Sequence, residues 1–446
     1  MITYSIIKKS QLEEALRLDA EYYQPEYLGY NKKLLSIAHV KLGEIAFVTD
    51  GEHGSPIFDE NSGIKYFSAQ HPQDGFIDSE AKMISKIIDI KNRRSSLKVG
   101  DVLLSTVGTI GNAGIVTKDL LPANIDRHVA RIALNKRTIN PEFLIAFLIS
   151  KFGKFQSIRE STGNVQLNLF IDKIKDLIIP SIEDINVTKL MQQSLSEREK
   201  SKSLYLQVEN LLLDELGLKD FDEKAGLWSI VNLSETEKVY RIDAEYFQPK
   251  YEKLILKIKS KKPEKLENFI KNHSTGFPFQ SENYQETGIP LIRINNIRKG
   301  YLDLSNSAYL TEKDYLLSPK DVAKPRDIIL SMSGSIGMTA LVPKDIPKSA
   351  INQRILRMIT QNIEKDYLVL LLNSIVGSYQ LERIGTGGLQ TNISYKDIKK
   401  ILIPVLPKPI QEKISKLVQK SYIARKRSKE LLEEAKHKIE ELIENS

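Results

Sequence analysis

The chain has 446 residues, which is long for a single hydrophobic core and favours two or three packed units. Its composition, 41% hydrophobic and 27% charged, is typical of a globular protein, and no apolar run reaches the ~20 residues of a membrane helix. The first residues lack the apolar core of a signal peptide, and the absence of cysteine excludes disulfides and thiolate metal ligands. We therefore expect a cytoplasmic protein, and the net charge of +8 is compatible with a polyanionic partner without requiring one.

The predicted elements occur twice along the chain, in the same order. A short helix carries Arg17-Leu-Asp-Ala-Glu-Tyr-Tyr-Gln-Pro in the first half, and Arg241-Ile-Asp-Ala-Glu-Tyr-Phe-Gln-Pro lies 224 positions later. A mixed region follows in which 101–105 and 327–331 are predicted to be short buried strands, each before a glycine turn. The duplication predicts two α/β half-molecules of similar fold.

Each half ends in a charged, glycine-poor segment with apolar residues at helical spacing. The first stripe consists of Leu190, Leu204, Val208, Leu211 and Leu218, with Ser194 and Ser201 between them. The second consists of Ile410, Ile414, Leu417, Ala424, Leu431, Ala435 and Leu442, with polar steps at Ser421, Ser428 and Lys438. Alternating steps of three and four are typical of a coiled-coil seam, although an amphipathic helix packed on its own domain gives a similar pattern. Because the pattern follows both halves, we predict two long antiparallel helices.

In this order the repeated motifs resemble those of the specificity subunits of type I restriction-modification systems, and less specifically the homologous subunits of type IIB enzymes. The shared motifs are the duplicated Asp-Ala-Glu-Tyr helix, the Leu-Ser-x-x-Gly-x-Ile-Gly turns, the Gln-x-Asn segments and the Ile-Pro before each long helix. The turns and the Gln-x-Asn segments lie at Leu104–Gly111, Leu330–Gly337, Gln166–Asn168 and Gln390–Asn392. The resemblance covers essentially the whole chain.

The resemblance implies two target-recognition domains, each reading one part of a bipartite DNA site, separated by the two long helices. We accordingly predict an α/β (α+β) multidomain protein with the first domain at 1–182, the first spacer helix at 183–218, a linker and the second domain at 219–406, and the second spacer helix at 407–446. The resemblance also implies two adenine-N6 methyltransferase subunits and restriction subunits as partners. S-adenosylmethionine would be used by the methyltransferase, and this chain would bind no cofactor.

Candidate base contacts in the first half lie in two polar segments. Asp50 and His53 belong to a glycine-containing loop between apolar segments, and Ser68, Gln70 and His71 follow a predicted strand. Glutamine can form two hydrogen bonds with adenine, whereas lysine and arginine mainly bind phosphates. A plain surface turn remains an alternative for the first segment.

The strongest candidates in the second half form one short run. Arg293, Asn295, Asn296, Arg298 and Lys299 combine a guanine reader, an adenine reader and phosphate ligands. A strand edge with solvated charges is the alternative for this run. Thr275 is a weaker candidate because it occupies the place of Asp50.

Four further polar residues align near buried strands in the two halves, and hydrogen bonds within the fold explain them at least as well as DNA contacts. They are Arg127, His128, Gln353 and Arg354. Segments 65–71 and 290–296 differ between the halves, which predicts two different half-sites.

No catalytic constellation is present in the sequence. Asn140-Pro-Glu-Phe143 lacks the second proline of an adenine methyltransferase loop, and paired carboxylates lie on charged helices where such strings are common. The glycine turns at 108–111 and 334–337 lack the Lys-Ser or Lys-Thr of a phosphate loop and are predicted to be tight turns. The histidines show no metal-ligand spacing, and no metal site is expected. We therefore predict a DNA-recognition subunit without enzymatic activity. Two alternatives remain, a type IIB specificity subunit and a non-DNA protein scaffold.

Overall fold

The computed structural model describes residues 4–10, 12, 17–135, 139–163, 166–182, 184–221, 228–386 and 391–446. The chain forms two compact units, unit 1 with residues Met1–Arg198 and Lys426–Ser446 and unit 2 with residues Glu199–Arg425. Gln390 of the second Gln-x-Asn segment lies outside the described residues. Among the residues that are described, no helix is both long and apolar enough to cross a membrane.

Unit 1 consists of short strands and helices around a four-stranded sheet. Its helices are α1 (Pro25–Leu35), α2 (Leu42–Ile45), α3 (Lys86–Lys91), α4 (Pro141–Ile149), α5 (Lys151–Glu160), α6 (Ile171–Lys175) and the first part of α7 (Ile185–Leu216). Its strands are β1 (His39–Lys41), β2 (Ala46–Asp50), β3 (Lys65–Phe67), β4 (Pro72–Gln73), β5 (Phe76–Ile77), β6 (Val102–Ser105), β7 (Ala113–Ile115), β8 (Ala123–Ile125), β9 (Val129–Leu134) and β10 (Ile178–Pro180). Short 3₁₀ helices lie at Ala20–Tyr23, Arg93–Ser95 and Lys118–Leu120.

Unit 2 contains a corresponding set of elements. Its helices are α8 (Leu233–Val239), α9 (Pro249–Lys259), α10 (Glu312–Tyr315), α11 (Lys365–Asn373), α12 (Ile375–Ile384), α13 (Tyr395–Ile398) and the first part of α14 (Lys408–Asn445). Its strands are β11 (Glu264–Lys265), β12 (Ile270–Ser274), β13 (Ile289–Ile292), β14 (Ile297–Arg298), β15 (Tyr301–Leu302), β16 (Ala308–Leu310), β17 (Ile328–Ser331), β18 (Thr339–Leu341), β19 (Ala350–Ile351), β20 (Ile355–Thr360) and β21 (Leu402–Ile403). Short 3₁₀ helices lie at Leu266–Phe269, Ser281–Asn283 and Ile294–Asn296.

The same antiparallel sheet forms the centre of each unit. Its strand order is β2-β9-β6-β7 in unit 1 and β12-β20-β17-β18 in unit 2. The predicted strands β6 and β17 are buried at every position, as their unbroken apolar sequences indicate. A parallel pair adjoins each sheet, β3 with β8 and β13 with β19. The two units therefore share one fold, in agreement with the α/β duplication predicted from the sequence.

The repeated glycine turns lie directly after β6 and β17. Gly108 and Gly111 have φ values of 74° and 81°, and Gly334 and Gly337 have values of 66° and 80°. Residues with a side chain rarely adopt this left-handed conformation, so the glycines serve the turn itself.

A buried ion pair connects neighbouring strands in each unit. Arg131 Nε donates to Asp101 Oδ2 over 2.7 Å, and Arg357 Nε donates to Asp327 Oδ2 over 2.6 Å. All four side chains are less than 10% exposed. Since each arginine also donates to a backbone carbonyl, at Arg94 and Lys320 respectively, the buried charges have several partners in both units.

The long helices α7 and α14 each contribute to both units. In unit 1 the core contains Val187 and Met191 of α7 together with residues of α14, namely Leu432, Ala435, Ile439 and Ile443. In unit 2 it contains Val208, Leu212 and Leu216 of α7 and Ile414 and Val418 of α14. Several of these residues are outside the predicted stripes because the helices pack on the globular parts as well as on each other. The predicted four-segment division places the long helices in segments of their own, whereas the compact units divide each helix.

Paired serines lie between the two long helices. In unit 1 the hydroxyl of Ser194 donates to Ser428 O and that of Ser428 donates to Ser194 O, both over 2.7 Å. In unit 2 Ser421 donates to Ser201 O over 2.8 Å, and the two hydroxyl oxygens are 3.1 Å apart. These are four of the polar steps predicted on the stripes, and their pairing shows that the helices run antiparallel within each unit.

Candidate nucleic-acid interface

Unit 1 presents a polar edge where β2 ends. The backbone turns at Gly51, whose N–H donates to Asp126 O over 3.2 Å, and Arg127 N donates to Glu52 O over 3.1 Å. A Cβ on Gly51 would lie 1.8 Å from Ile125 O, so only glycine permits this close crossing. We call this edge rim 1 and define it as residues 50–54, Arg94 and 126–128.

Asp50 organises two cations of rim 1. Its Oδ2 lies 2.6 Å from Nε2 of His53, and its Oδ1 accepts a hydrogen bond from Nη1 of Arg94 over 3.0 Å. The side chains of His53 and Arg94 are 63% and 49% exposed, so both can also reach a ligand. Asp50 itself is acidic and half-buried, and the contacts indicate that it positions the two cations.

The other side of rim 1 carries Arg127 and His128. Arg127 is exposed, and its Nε donates to Nε2 of His128 over 3.1 Å. Nδ1 of His128 lies 3.5 Å from the carboxylate of Asp126. Burial raises the pKa of the Asp126 carboxyl, which the backbone hydrogen bond from His128 partly offsets. Arginine and histidine side chains thus line both sides of the rim.

Unit 2 builds the corresponding edge with different side chains. The backbone turns at Gly276, where a Cβ would lie 1.9 Å from Asn352 O, and Gln353 N donates to Phe277 O over 2.9 Å. We call residues 275–278 and 352–354 rim 2. Its exposed polar side chains are Thr275, Gln353 and Arg354.

An apolar pocket opens beside rim 2. Its volume is about 220 Å³, and its walls include Phe277, Phe279, Leu310 and Leu317. Rim 2 therefore combines amide, hydroxyl and guanidinium groups with an apolar surface of the kind that contacts a thymine methyl group.

The three candidates after β3 differ in their accessibility. His71 is 5% exposed, its Nδ1 accepts from Ser68 N over 2.8 Å, and its Nε2 lies 3.2 Å from Glu80 O. Both ring nitrogens are used inside the fold, so none remains for a base edge, and the interpretation of His71 as a reader is corrected. Ser68 is half-buried beside this ring, while Gln70 is exposed and remains a candidate.

The second-half run does not lie on one face. Asn296 is 1% exposed, its Oδ1 accepts from Arg293 N, and its Nδ2 donates to Asp303 O, each over 2.9 Å. It therefore stabilises the turn after β13, which corrects its predicted role as an adenine reader. Asn295 is exposed at the same turn.

Arg293 is only half-exposed. Its guanidinium lies 5.8 Å from the Tyr284 ring and donates to Asn306 O over 3.3 Å. Its buried Nε has no hydrogen-bond acceptor among the described residues.

Arg298 and Lys299 lie in the hairpin between β14 and β15. Both are exposed, and the next residue, Gly300, accepts a hydrogen bond from the hydroxyl of Tyr422 on α14. Arg425 of the same helix covers the Tyr301 ring at 3.8 Å. The two cations are consequently held beside the long helix, in a position suited to a phosphate backbone.

The sequence analysis did not select Arg94, and it left open whether Arg127, Gln353 and Arg354 serve structure or DNA. The structure places all four side chains at exposed positions, and Arg94 reaches Asp50 across 44 residues of chain. The adjacent arginines at 93–94 in a polar segment were the available signal. The repeated alignment of 127–128 with 353–354 was the signal for the others.

The known proteins that this chain matches all point in one direction. Residues 258–437 match the family model "Type I restriction modification DNA specificity domain". The specificity subunit of the type I restriction enzyme EcoBI from Escherichia coli is 33% identical over 129 residues, which are 28% of this chain and 27% of that subunit. The aligned segment thus spans about a quarter of the relative's length.

Two solved structures are similar over most of the chain at low sequence identity. The S subunit of a type I restriction-modification system from M. genitalium gives a TM-score of 0.38 at 13% identity, covering 91% of this chain and 94% of that chain. The HsdS subunit from Thermoanaerobacter tengcongensis gives 0.29 at 15% identity, covering 90% and 95%. The resemblance seen in the repeated motifs is thereby confirmed: this chain is similar to the specificity subunits of type I restriction-modification systems, and residues 258–437 carry the DNA specificity domain of that family.

Proposed function

We propose that this chain is a DNA-binding subunit of a type I restriction-modification complex that reads a bipartite target with its two units. The observation that carries the proposal is the pair of rims. The same backbone geometry is built around Gly51 and Gly276, yet the exposed side chains of the rims differ. Two readers of one fold with different donors and acceptors suit a target made of two unlike half-sites.

In rim 1, we assign the direct contacts to the cations. His53, Arg94 and Arg127 can donate to guanine acceptors or phosphates, and Asp50 holds two of them in place. In rim 2 we assign adenine contact to Gln353 and guanine or phosphate contact to Arg354, with Thr275 between them. Gln70, Asn295, Arg298 and Lys299 remain candidate contacts at the edges of these surfaces.

Catalysis belongs, in this proposal, to partner subunits. The chain itself binds no cofactor or metal, and it recruits two adenine-N6 methyltransferase subunits that use S-adenosylmethionine, together with restriction subunits. It acts in the cytoplasm, where these partners and the DNA are found. Purified chain incubated with DNA, S-adenosylmethionine and Mg²⁺ should give no methylation and no cleavage, and turnover by the chain alone would refute this part.

The proposal is tested by mapping methylated adenines in the genome of a host that expresses the complete system. The wild-type chain should direct methylation to one sequence with two defined parts. Arg94→Ala should relax or weaken recognition of one part, and Arg354→Ala should do so for the other, each by roughly 1–3 kcal/mol of discrimination.

Two exposed lysines at equivalent places provide matched controls. Lys32→Ala on α1 and Lys257→Ala on α9 remove a positive charge from each unit without touching a rim. Their methylation patterns should equal that of the wild type. The proposal fails if no bipartite sequence is methylated, or if either rim variant alters both parts equally.

A further inference from the structure

A second surface recurs in both units, outside the rims. It consists of large apolar side chains that are almost fully exposed, in three pairs separated by 224 positions. The pairs are Tyr4 (80% exposed) with Trp228 (75%), Ile6 (90%) with Ile230 (88%), and Leu18 (85%) with Ile242 (88%). Exposed groups of large apolar residues commonly mark sites of protein association.

Identical contacts hold this surface in each unit. The hydroxyl of Ser5, between the first two apolar residues, donates to Tyr23 O over 2.6 Å, and that of Ser229 donates to Phe247 O over 2.8 Å. The strand-like segment is thus attached to the 3₁₀ turn that follows Leu18. Its alternation turns the serine inward and both neighbouring side chains outward.

The turn itself is fixed by a repeated arginine. Arg17 pairs with Asp19 and donates to Ser161 O over 3.0 Å, while Arg241 pairs with Asp243 and donates to Gly385 O over 3.0 Å. The exposed leucine or isoleucine lies between the paired arginine and aspartate. A rigid backbone therefore displays these apolar side chains, which lowers the entropy lost on binding.

Packing cannot explain why these positions are alike in the two units, because the side chains are exposed. The neighbouring exposed residues are even identical, with Ala20 matching Ala244 and Glu21 matching Glu245. The rims, also exposed, have diverged in the same chain. A surface that stays alike while the readers differ has the same ligand in both units.

We propose that this repeated apolar surface binds one copy of the same protein subunit on each unit, so that one chain binds two copies. The partner surface would carry an apolar pocket for the aromatic ring and a lysine or arginine opposite Glu21 or Glu245. Nucleic acid is the less suitable ligand, because the one charge common to both copies of the surface is a carboxylate. The inference rests on the proposed function in one respect: the methyltransferase is the subunit used there in two copies.

The test uses the full chain and the methyltransferase subunit encoded beside its gene, with complex mass measured by light scattering. The wild type should form a complex with two methyltransferase copies. Tyr4→Ala/Ile6→Ala and Trp228→Ala/Ile230→Ala should each leave one copy bound, with the lost site weakened at least tenfold. The fourfold variant should bind neither copy. Ile87→Ala and Leu256→Ala, which alter exposed apolar residues elsewhere in the two units, should retain both copies.

Charge reversal gives a second measurement that does not depend on apolar truncation. Glu21→Lys with Glu245→Lys should weaken binding several-fold, and more at low than at high ionic strength. Glu26→Lys is the matched control, because unit 2 carries Lys250 at the equivalent position and a shared partner must accept either charge.

The outcomes separate this inference from the proposed function. Two copies bound with unchanged affinity by the fourfold variant would overturn the repeated surface while leaving DNA recognition intact. Failure of the wild type to bind the methyltransferase at all would overturn both. Specific DNA binding by each variant, measured by fluorescence anisotropy, should equal that of the wild type, and unchanged circular dichroism shows that the variants fold.

Discussion

Unit 1 and unit 2 keep the same contacts where the fold is held and differ where ligands can be reached. The buried Arg131–Asp101 pair has its counterpart in Arg357–Asp327, with distances that differ by 0.1 Å. Gln156 of α5 bonds both backbone groups available beside β10, and Gln380 of α12 does the same beside β21. The comparison separates scaffold from reader: residues shared by the units stabilise, and exposed residues that differ discriminate.

One scaffold contact breaks the symmetry. Arg326 has a φ of 66° at the place where unit 1 has Gly100 with a φ of 87°. Its guanidinium forms two hydrogen bonds with the fully buried Asp366, which also accepts from Ser415 and Gln419 of α14. The left-handed backbone costs about 1 kcal/mol for a residue with a side chain, and a two-fold charged hydrogen bond offsets it. Unit 1 has Glu142 in place of the aspartate, without this network to Gly100.

The largest expected effect comes from the shared ion pairs. Asp101→Ala and Asp327→Ala should each lower the free energy of unfolding of their unit by about 3–5 kcal/mol, because each leaves a buried guanidinium without its carboxylate. Hydrogen-exchange mass spectrometry in urea reads the two units separately. Asp220→Ala, at an exposed position, is the control. Losses that differ by more than about 2 kcal/mol between the units would contradict an equivalent scaffold.

The asymmetric contact should give the next largest effect, in one unit only. Asp366→Ala removes four hydrogen bonds and should lower the free energy of unfolding of unit 2 by about 2–3 kcal/mol. Glu142→Ala, the matched change in unit 1, should cost less than about 0.5 kcal/mol. The same unfolding measurement applies. Equal losses would show that the network adds nothing specific to unit 2.

Glycine substitutions test the shared crossing beneath the rims. Gly51→Ala and Gly276→Ala place a Cβ within 2 Å of a backbone oxygen, so the strands must move apart at a cost of about 1–3 kcal/mol. Gly276→Ala should cost about 1 kcal/mol more, because Gly276 also has a φ of 75°. Each variant should weaken recognition of its own half-site in a binding assay with both half-sites varied separately. Intact recognition in either variant would mean that the rim geometry does not matter.

The smallest effect concerns acid stability. The side-chain hydrogen bonds from Arg17 and Arg241 lower the pKa of Asp19 and Asp243 below the ordinary value. The stability that these pairs contribute is therefore fully present above the unfolded pKa of about 3.9 and is lost as the pH falls through the lower folded pKa. Asp19→Asn and Asp243→Asn should each flatten thermal stability below pH 4 by a similar small amount. A flattening in only one variant would show that the two turns are not equivalent.

The sequence predicted the parts of the fold that depend on local pattern and repetition. The apolar runs ending at Ser105 and Ser331 are β6 and β17, and the long helices α7 and α14 lie where helical spacing follows Pro180 and Pro404. The buried acids Asp101 and Asp327 precede those strands, and their ion pairs depend on residues 30 positions away. Pattern alone could not identify such partners.

The reader residues were harder to predict because orientation depends on tertiary contacts. Asn296 and Asn295 are chemically equal neighbours, but a 3₁₀ turn interrupts the two-residue alternation after β13 and directs only Asn296 inward. His71 was selected for its chemistry, and its burial follows from contacts with Ser68 and Glu80. Arg94 became visible only when α3 and the following turn were placed beside β2.

The serine pairs limit how the long helices can change in length. Ser194 and Ser201 are seven residues apart, as are Ser421 and Ser428, so the pairs repeat with the heptad. A slip of one heptad could bring Ser201 opposite Ser428 but would set Ser194 against Ala435 and Ser421 against Val208. Each unpaired buried hydroxyl costs about 1–3 kcal/mol. Insertions and deletions in these helices would therefore be tolerated only in matched steps of seven residues, which makes helix length a quantised property that evolution can alter without redesigning either reader.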